Sequence, residues 1–165
     1  MLRKIALAAA SALVALAMVE IGLRVTGLGM HGFLDEWRKY GNLLVLDGAG
    51  YLRHPAGTSV VLQGVTMRFN SLGMRDDEPP RPKPPDTFRV LCLGDSVTMG
   101  PGVAQEATYP ARLRNLLAPD GIDVVSGAVG GWNTVSEERF LEARAAALVP
   151  DLVVLLYVTN DNERI

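Results

Sequence analysis

Three short apolar runs alternate with two helical segments in the second half of the chain, and this alternation constrains the fold more than any other feature. The runs cover residues 89–93, 122–126 and 152–157, and the helices between them are predicted at 110–117 and 135–148. Short runs that are apolar almost throughout are typical of strands buried on both faces of a parallel sheet. The pattern therefore predicts an α/β fold made of right-handed βαβ units.

Polar or glycine-rich turns follow each of the three predicted strands. The first strand leads to Ser96, the second to a glycine loop over residues 127–133, and the third to Asn160. Because the carboxyl ends of parallel strands meet at one edge of the sheet, we expect these turns to converge. Acyl transfer needs a nucleophile and donors for an oxyanion, which Ser96, the backbone N–H of Gly130 or Gly131, and the Asn160 carboxamide can supply.

The residues from 88 onwards resemble the SGNH (GDSL-type) hydrolase family of esterases, lipases and acyl-transfer enzymes. The first block of the family matches Gly94-Asp95-Ser96, and the third block matches Asn160-Asp161. The glycine of the second block fits best at Gly131. The resemblance implies a three-layer, flavodoxin-like fold with a parallel sheet, of which these residues form the N-terminal part. It implies Ser96 as nucleophile, the Gly131 N–H and the Asn160 side chain as oxyanion donors, and no metal or organic cofactor.

Two departures from the family pattern stand out. Val158 occupies the position two before the asparagine, where the family usually has glycine. The family's later block, an aspartate three residues before a histidine, is not among these 165 residues. His31 and His54 precede the nucleophile, whereas the family histidine follows the asparagine, so neither is expected to be the base. We expect negligible turnover and marginal stability from these residues alone.

Three functions are compatible with this pattern. The first is an exported serine esterase that acts on a small-molecule or carbohydrate ester. The second is an O-acyltransferase acting on envelope polysaccharide. The third is a non-catalytic module that binds glycans or partners. A downstream Asp-x-x-His pair favours either enzyme over the binding module.

The N-terminus predicts an exported protein. Arg3 and Lys4 precede an uncharged apolar run over residues 5–19, which is typical of a signal anchor or a cleaved signal peptide. Glu20 and Arg24 are spaced to pair on one helix face near the far membrane interface. The positive-inside rule keeps the basic residues in the cytoplasm and exports the rest. We favour the single-pass anchor, in contact with inner-membrane lipid, and Ala15-Leu16-Ala17 leaves cleavage open.

The chain divides into four predicted segments. Residues 1–25 form the anchor or signal, and 26–75 form an extension with two short strands around Gln63-Gly64. Residues 76–87 hold five prolines and predict an extended linker, and 88–165 form the hydrolase-type domain. The run from Asn70 to Arg75, together with the anchor, resembles the family's membrane-anchored bacterial branch.

Composition excludes other classes of function. A formal net charge of −2 and a pI near 5.7 leave no basic surface for nucleic acid. The single cysteine, Cys92, lies in an apolar strand, which indicates a buried hydrophobe. The glycine loops carry no nucleotide-binding pattern, and no cluster has the spacing of metal ligands. Thr134-x-x-Glu137 predicts a capping box for the second helix, whose residues 137–139 are expected to face solvent.

Overall fold

The computed structural model describes residues 1–27 and 30–159 of the chain. Contacts divide the chain into two units, Met1–Asn42 and a second unit that begins at Leu43. The two units are described separately below.

The first unit is helical. Helix α1 (Leu2–Thr26) ends at Gly27, whose φ of 68° is left-handed, and it buries none of its residues. Its 25 residues reach about 37 Å, enough for a hydrocarbon core of about 30 Å. By length and composition α1 could cross a membrane. Glu20 and Arg24 form the expected ion pair at 2.7 Å. Helix α2 (Met30–Leu43) follows.

The second unit contains two small antiparallel strand pairs followed by a parallel sheet with its helices. In chain order the elements are β1 (Val45–Leu46), β2 (Leu52–Arg53), β3 (Ser59–Leu62), β4 (Val65–Arg68), β5 (Phe88–Gly94), α3 (Ser96–Met99), α4 (Tyr109–Leu117), β6 (Ile122–Ala128), α5 (Thr134–Leu148) and β7 (Leu152–Leu156). The pair β3–β4 confirms the predicted hairpin; Gln63 and Gly64 have φ of 49° and 76°, as its two-residue turn requires. The pair β1–β2 was not predicted, because two-residue strands leave no periodicity to detect.

The parallel sheet has the strand order β6–β5–β7. Strand β5 is central, and its last residue, Gly94, lies opposite Ala128 of β6 and Leu156 of β7. The chain moves from β5 to one side and then crosses to the other, which is how a flavodoxin-like sheet begins. The α/β fold with a parallel sheet is confirmed. In such sheets ligands bind outside the carboxyl ends of the strands where this reversal occurs.

The two crossover helices cover opposite faces of the sheet. Leu91 and Leu93 of β5 pack with Phe140 of α5 in one core. Val90 and Cys92, the alternate residues of β5, pack with Leu113 of α4 in the other core. Period-two alternation explains this division, because successive strand side chains point to opposite faces. Strand β7 is less buried than β5 and β6.

The proline-rich segment forms no helix or strand, and its first five residues are bonded to the sheet at two points. The Asp76 carboxylate accepts the backbone N–H of Ser126 in β6 at 2.7 Å. The Pro80 carbonyl accepts a guanidinium N–H of Arg89 in β5 at 2.9 Å. Upstream of the proline-rich segment, Tyr51 and Met74 belong to the same core as α5. The division into four segments remains a prediction.

Two expectations about α5 are wrong. The helix is capped by Asn133, whose carboxamide oxygen accepts the Ser136 N–H at 3.1 Å, so Thr134 is already helical. Asparagine at the residue before the helix is a stronger cap than threonine within it. Glu137 is 1% exposed instead of facing solvent, because it lies three residues before the core residue Phe140 and on the same helix face.

Candidate functional site

Ser96 lies directly beyond the carboxyl end of the central strand. It is the first residue of α3, two residues after Gly94, and its side chain is half-buried. The Ser96 hydroxyl lies 3.4 Å from a carboxylate oxygen of Asp95. The structure therefore places this hydroxyl at the sheet edge where the topology positions ligands.

Asp95 fixes the turn that carries Ser96. Its carboxylate is buried and accepts the backbone N–H of Val97 at 2.9 Å, which caps the short helix. This bond satisfies one of the donors that a helix start leaves unpaired. Asp95 therefore acts as a structural hydrogen-bond acceptor in this turn.

Gly94 allows α3 to fold back against the end of β5. A Cβ atom at this position would lie 2.2 Å from the Thr98 hydroxyl oxygen, closer than atoms can approach. Thr98 is itself held at 3.4 Å from the phenolic oxygen of Tyr109, at the start of α4. Burial raises the pKa of Tyr109 to about 12, so the phenol stays protonated at neutral pH. Only glycine fits at the position where β5 ends and the Ser96 turn begins.

Arg75 also supports the Ser96 turn. The sequence did not predict this role. Its buried guanidinium donates to the carbonyls of Met99 at 2.8 Å, Gly100 at 2.5 Å and Val103 at 2.5 Å. These carbonyls follow α3 directly, so one cation holds the backbone on the far side of Ser96. Hydrogen bonds to charged groups are among the stronger ones in proteins. The available signal was an arginine directly after the turn-forming run that starts at Asn70.

A second turn holds Arg75 in place. The Asn70 carboxamide oxygen accepts the backbone N–H groups of Leu72 and Met74, both at 3.0 Å. The buried His54 ring stacks on Phe69 with centroids 4.0 Å apart. Its Nδ1–H donates to the Gly73 carbonyl at 3.0 Å, because a carbonyl can only accept.

His54 is therefore a structural residue. Burial lowers its pKa from 6.5 to about 4, so the ring is neutral at pH 7. Its polar contact is with the turn at Gly73 rather than with the Ser96 turn. The expectation that His54 is not the base agrees with this placement, and the His31 side chain lies outside the described part of the chain.

Gly131 lies in the loop that follows β6. Because Ala128 is opposite Gly94, the residues that follow each strand emerge side by side at the same edge of the sheet. Gly131 has a φ of 85°, and no atom lies within 4 Å of where its Cβ would be. The residue is exposed to solvent, and without a side chain its backbone can be approached closely by a ligand.

Trp132 anchors this loop to the core. Its indole N–H donates to the Leu52 carbonyl at 2.6 Å. Its ring packs on Tyr51 and Phe140, with centroids 5.7 Å and 5.0 Å apart. Trp132 therefore packs in the core, and it also borders a pocket.

This pocket has a volume of about 560 Å³ and lies beside Gly131. Its walls come from the β1–β2 pair and from the loop and first turns of α5. The lining residues are Leu46, Gly50, Tyr51, Leu52, Gly131, Trp132, Asn133, Val135, Ser136 and Arg139. A largely apolar wall with few polar groups is typical of small-molecule sites.

The predicted third block lies outside the described residues. Strand β7 ends at Leu156 opposite Gly94, and Asn160 and Asp161 lie outside the described residues. Within residues 1–27 and 30–159, no group of three or more His, Cys, Asp or Glu side chains could hold a metal ion. The described site therefore consists of a supported serine, a neighbouring glycine loop and an adjoining pocket.

Comparison with known proteins gives two matches. Residues 92–164 match the model of the GDSL-like lipase/acylhydrolase family. The chain is also 29% identical over 153 residues to an acetylxylan esterase from Xylanibacter ruminicola. That alignment covers 87% of this chain and 26% of the relative, so the chain spans about a quarter of the relative's length. Together with the parallel sheet that carries Ser96 at its central strand, these matches support a relation of this chain to the GDSL-like lipase/acylhydrolase family, the SGNH hydrolases.

Proposed function

We propose that the protein is a serine ester hydrolase with Ser96 as nucleophile. The Ser96 oxygen attacks the ester carbonyl carbon, the alcohol leaves with a proton, and water then hydrolyses the acyl-serine ester. The Gly131 N–H and the Asn160 side chain stabilise the negative oxygen that develops on the carbonyl. The observation that carries the proposal is the position of Ser96 at the carboxyl end of the central strand, beside the Gly131 loop.

The general base of this reaction is proposed from the resemblance alone. By the resemblance it is the histidine of an Asp-x-x-His block, and these 165 residues contain no such block. His54 is unsuited to the task because its ring is buried against Phe69 and its Nδ1–H is bonded to Gly73. The activity is therefore best measured on protein expressed from its complete coding sequence.

The substrate is proposed as an acyl ester of a small molecule or a carbohydrate. The support is the name of the relative, an acetylxylan esterase, together with the family match. Acetylated xylan and p-nitrophenyl acetate are thus the first substrates to compare. Release of acetate from xylan at a rate above that of a Ser96→Ala variant would favour the carbohydrate.

We further propose that α1 anchors the protein in the inner membrane, with Leu43 onwards on the exported side. Support comes from the length of α1, its mean hydropathy of 2.1 over the most apolar stretch, and the preceding Arg3 and Lys4. Cleavage after Ala17 is the alternative. Mass spectrometry of the mature N-terminus separates the two, and protease access to Arg68 in spheroplasts reports the side on which the second unit lies.

Hydrolysis of p-nitrophenyl acetate by the wild-type protein and by Ser96→Ala tests the function. We expect Ser96→Ala to abolish turnover and Asn160→Ala to lower kcat by about 10²–10³, the usual loss for one oxyanion donor. Ser59→Ala, an exposed serine on β3, is the matched control and should leave the rate unchanged. Equal rates in wild type and Ser96→Ala would contradict the proposal. Acyl transfer to a sugar hydroxyl in preference to water would assign an acyltransferase instead.

A further inference from the structure

The pocket beside Gly131 has a volume of about 560 Å³. Part of its wall, Leu46 to Leu52, lies upstream of the residues that match the family model. The other lining residues, from Gly131 to Arg139, lie inside the matched region, so the pocket is formed jointly by that region and by the segment that precedes it.

Three exposed aliphatic side chains converge on the pocket. Leu46, Leu52 and Val135 are each at least 45% exposed, although the chain has a well-packed core available nearby. Leaving apolar surface in water costs free energy roughly in proportion to its area. Several such side chains around one concave space indicate a site for an apolar group.

Three polar side chains around the pocket make hydrogen bonds within the protein. The Trp132 indole N–H is bonded to the Leu52 carbonyl, and the Arg139 guanidinium donates to the Gly50 carbonyl at 2.7 Å. The Asn133 carboxamide oxygen caps α5. These bonds hold the two walls together, and they leave the apolar side chains to contact whatever enters.

We propose that this pocket binds the uncharged, apolar part of the ester substrate, an alkyl chain. The inference rests on the proposed function, because it takes Gly131, which lines the pocket, as the donor that holds the ester carbonyl oxygen. With the carbonyl at Gly131, a chain attached to it extends along Leu52 and Val135. The chain belongs either to the acyl group or to the alcohol.

The first experiment measures binding without catalysis. Unreactive alkyl amides, from acetamide to octanamide, are titrated into the full chain in lipid nanodiscs while the indole N–H resonance of Trp132 is followed by NMR. Trp37→Phe leaves Trp132 as the single labelled tryptophan. Each buried methylene should tighten binding about threefold to fourfold, given the transfer free energy of a CH₂ group.

Val135→Glu places a carboxylate in the pocket wall. Its position in the first turn of α5 favours an acidic residue, so the helix itself should tolerate the change. We expect octanamide binding to weaken at least tenfold. Val61→Glu, on the exposed face of β3, is the matched control and should bind as the wild type does. Binding that is absent from the wild type, independent of chain length, or equal in Val135→Glu would overturn the inference.

Kinetics then identify which part of the ester enters. Rising kcat/KM along p-nitrophenyl acetate to octanoate assigns the acyl chain, and a rise along ethyl to octyl acetate assigns the alcohol. Hydrolysis that is flat in both series would overturn the pocket as a substrate subsite. If the amides bind but no Ser96-dependent hydrolysis is found, the proposed function is overturned, whereas the binding of alkyl chains in this pocket is retained.

Discussion

The two loops that meet at the carboxyl edge of the sheet are built in opposite ways. The turn after β5 is fixed on every side, by the Asp95 cap, the close fit of Gly94 against Thr98, and three hydrogen bonds from Arg75. The loop after β6 is anchored at Trp132 but leaves Gly131 exposed beside a pocket. A nucleophile must be held at one position, whereas an oxyanion donor must remain open to the substrate. The difference thus matches the two roles proposed.

The largest expected effect is the loss of the Arg75 support. Arg75→Ala leaves three backbone carbonyls without their donor, and bonds to a charged group contribute about 1.5–3 kcal/mol each. Because such losses do not add fully, we expect the free energy of unfolding to fall by about 3 kcal/mol or more, measured by urea denaturation.

Arg68→Ala is the control for this change. Arg68 pairs with Glu106 on the exposed surface, and such pairs contribute about 0–1 kcal/mol. If Arg75→Ala were no more destabilising than Arg68→Ala, the turn after β5 would not depend on the arginine.

The next effect concerns the close fit at Gly94. Gly94→Ala forces a methyl group to 2.2 Å from the Thr98 hydroxyl oxygen, and overpacking of this kind costs about 1–3 kcal/mol. Thermal unfolding should show a lower Tm, and Ser96-dependent hydrolysis should fall with it. The double variant Gly94→Ala/Thr98→Ala removes the clashing oxygen and should recover part of the stability; no recovery would place the strain elsewhere.

Acid should weaken the support of the Ser96 turn through His54. Its pKa is about 4 in the folded chain and near 6.5 when unfolded, so below pH 6.5 the unfolded state binds the extra proton. Stability contributed by the neutral ring is complete above pH 6.5 and is lost as pH falls towards 4. At pH 5 this amounts to about 2 kcal/mol relative to pH 7.

Urea denaturation at pH 7 and pH 5 measures this loss. His54→Gln retains an N–H donor for Gly73 but does not titrate, so its stability should change less between the two pH values. An equal change in wild type and His54→Gln would show that other groups cause the acid sensitivity.

The smallest effect is expected in the open loop. Gly131→Ala meets no neighbouring atom, and its cost is limited to the left-handed backbone, about 1–2 kcal/mol for a residue with a Cβ. Comparison with Gly94→Ala then separates the cost of a left-handed backbone at Gly131 from the cost of a steric clash at Gly94. A larger loss of stability at Gly131 than at Gly94 would reverse the contrast between the two loops.

The sequence predicted the sheet and the order of its elements better than the supports of the site. Apolar strands separated by helices leave a periodic signal, and Ser96 follows from the first of them. Arg75 leaves no such periodic signal, because its role depends on its contact with the end of α3, 24 residues later in the chain. The pocket was missed for the same reason, since the two-residue strands around Leu46 and Leu52 show no pattern.

Local competition explains the two errors at α5. Asn133 and Thr134 are both able to cap a helix, and only the observed bond from Ser136 decides between them. Glu137 was assigned to solvent by its charge, although its spacing from Phe140 puts it on the buried face.

Covalent trapping tests the central claim most directly. Protein expressed from its complete coding sequence is treated with a fluorophosphonate, which reacts with activated serine nucleophiles, and the modified peptide is located by mass spectrometry. The account predicts a single adduct on Ser96 that forms in the Ser59→Ala control, is slowed in Arg75→Ala, and is absent in Ser96→Ala. Hydrolytically active protein that carries its adduct on another residue would contradict it.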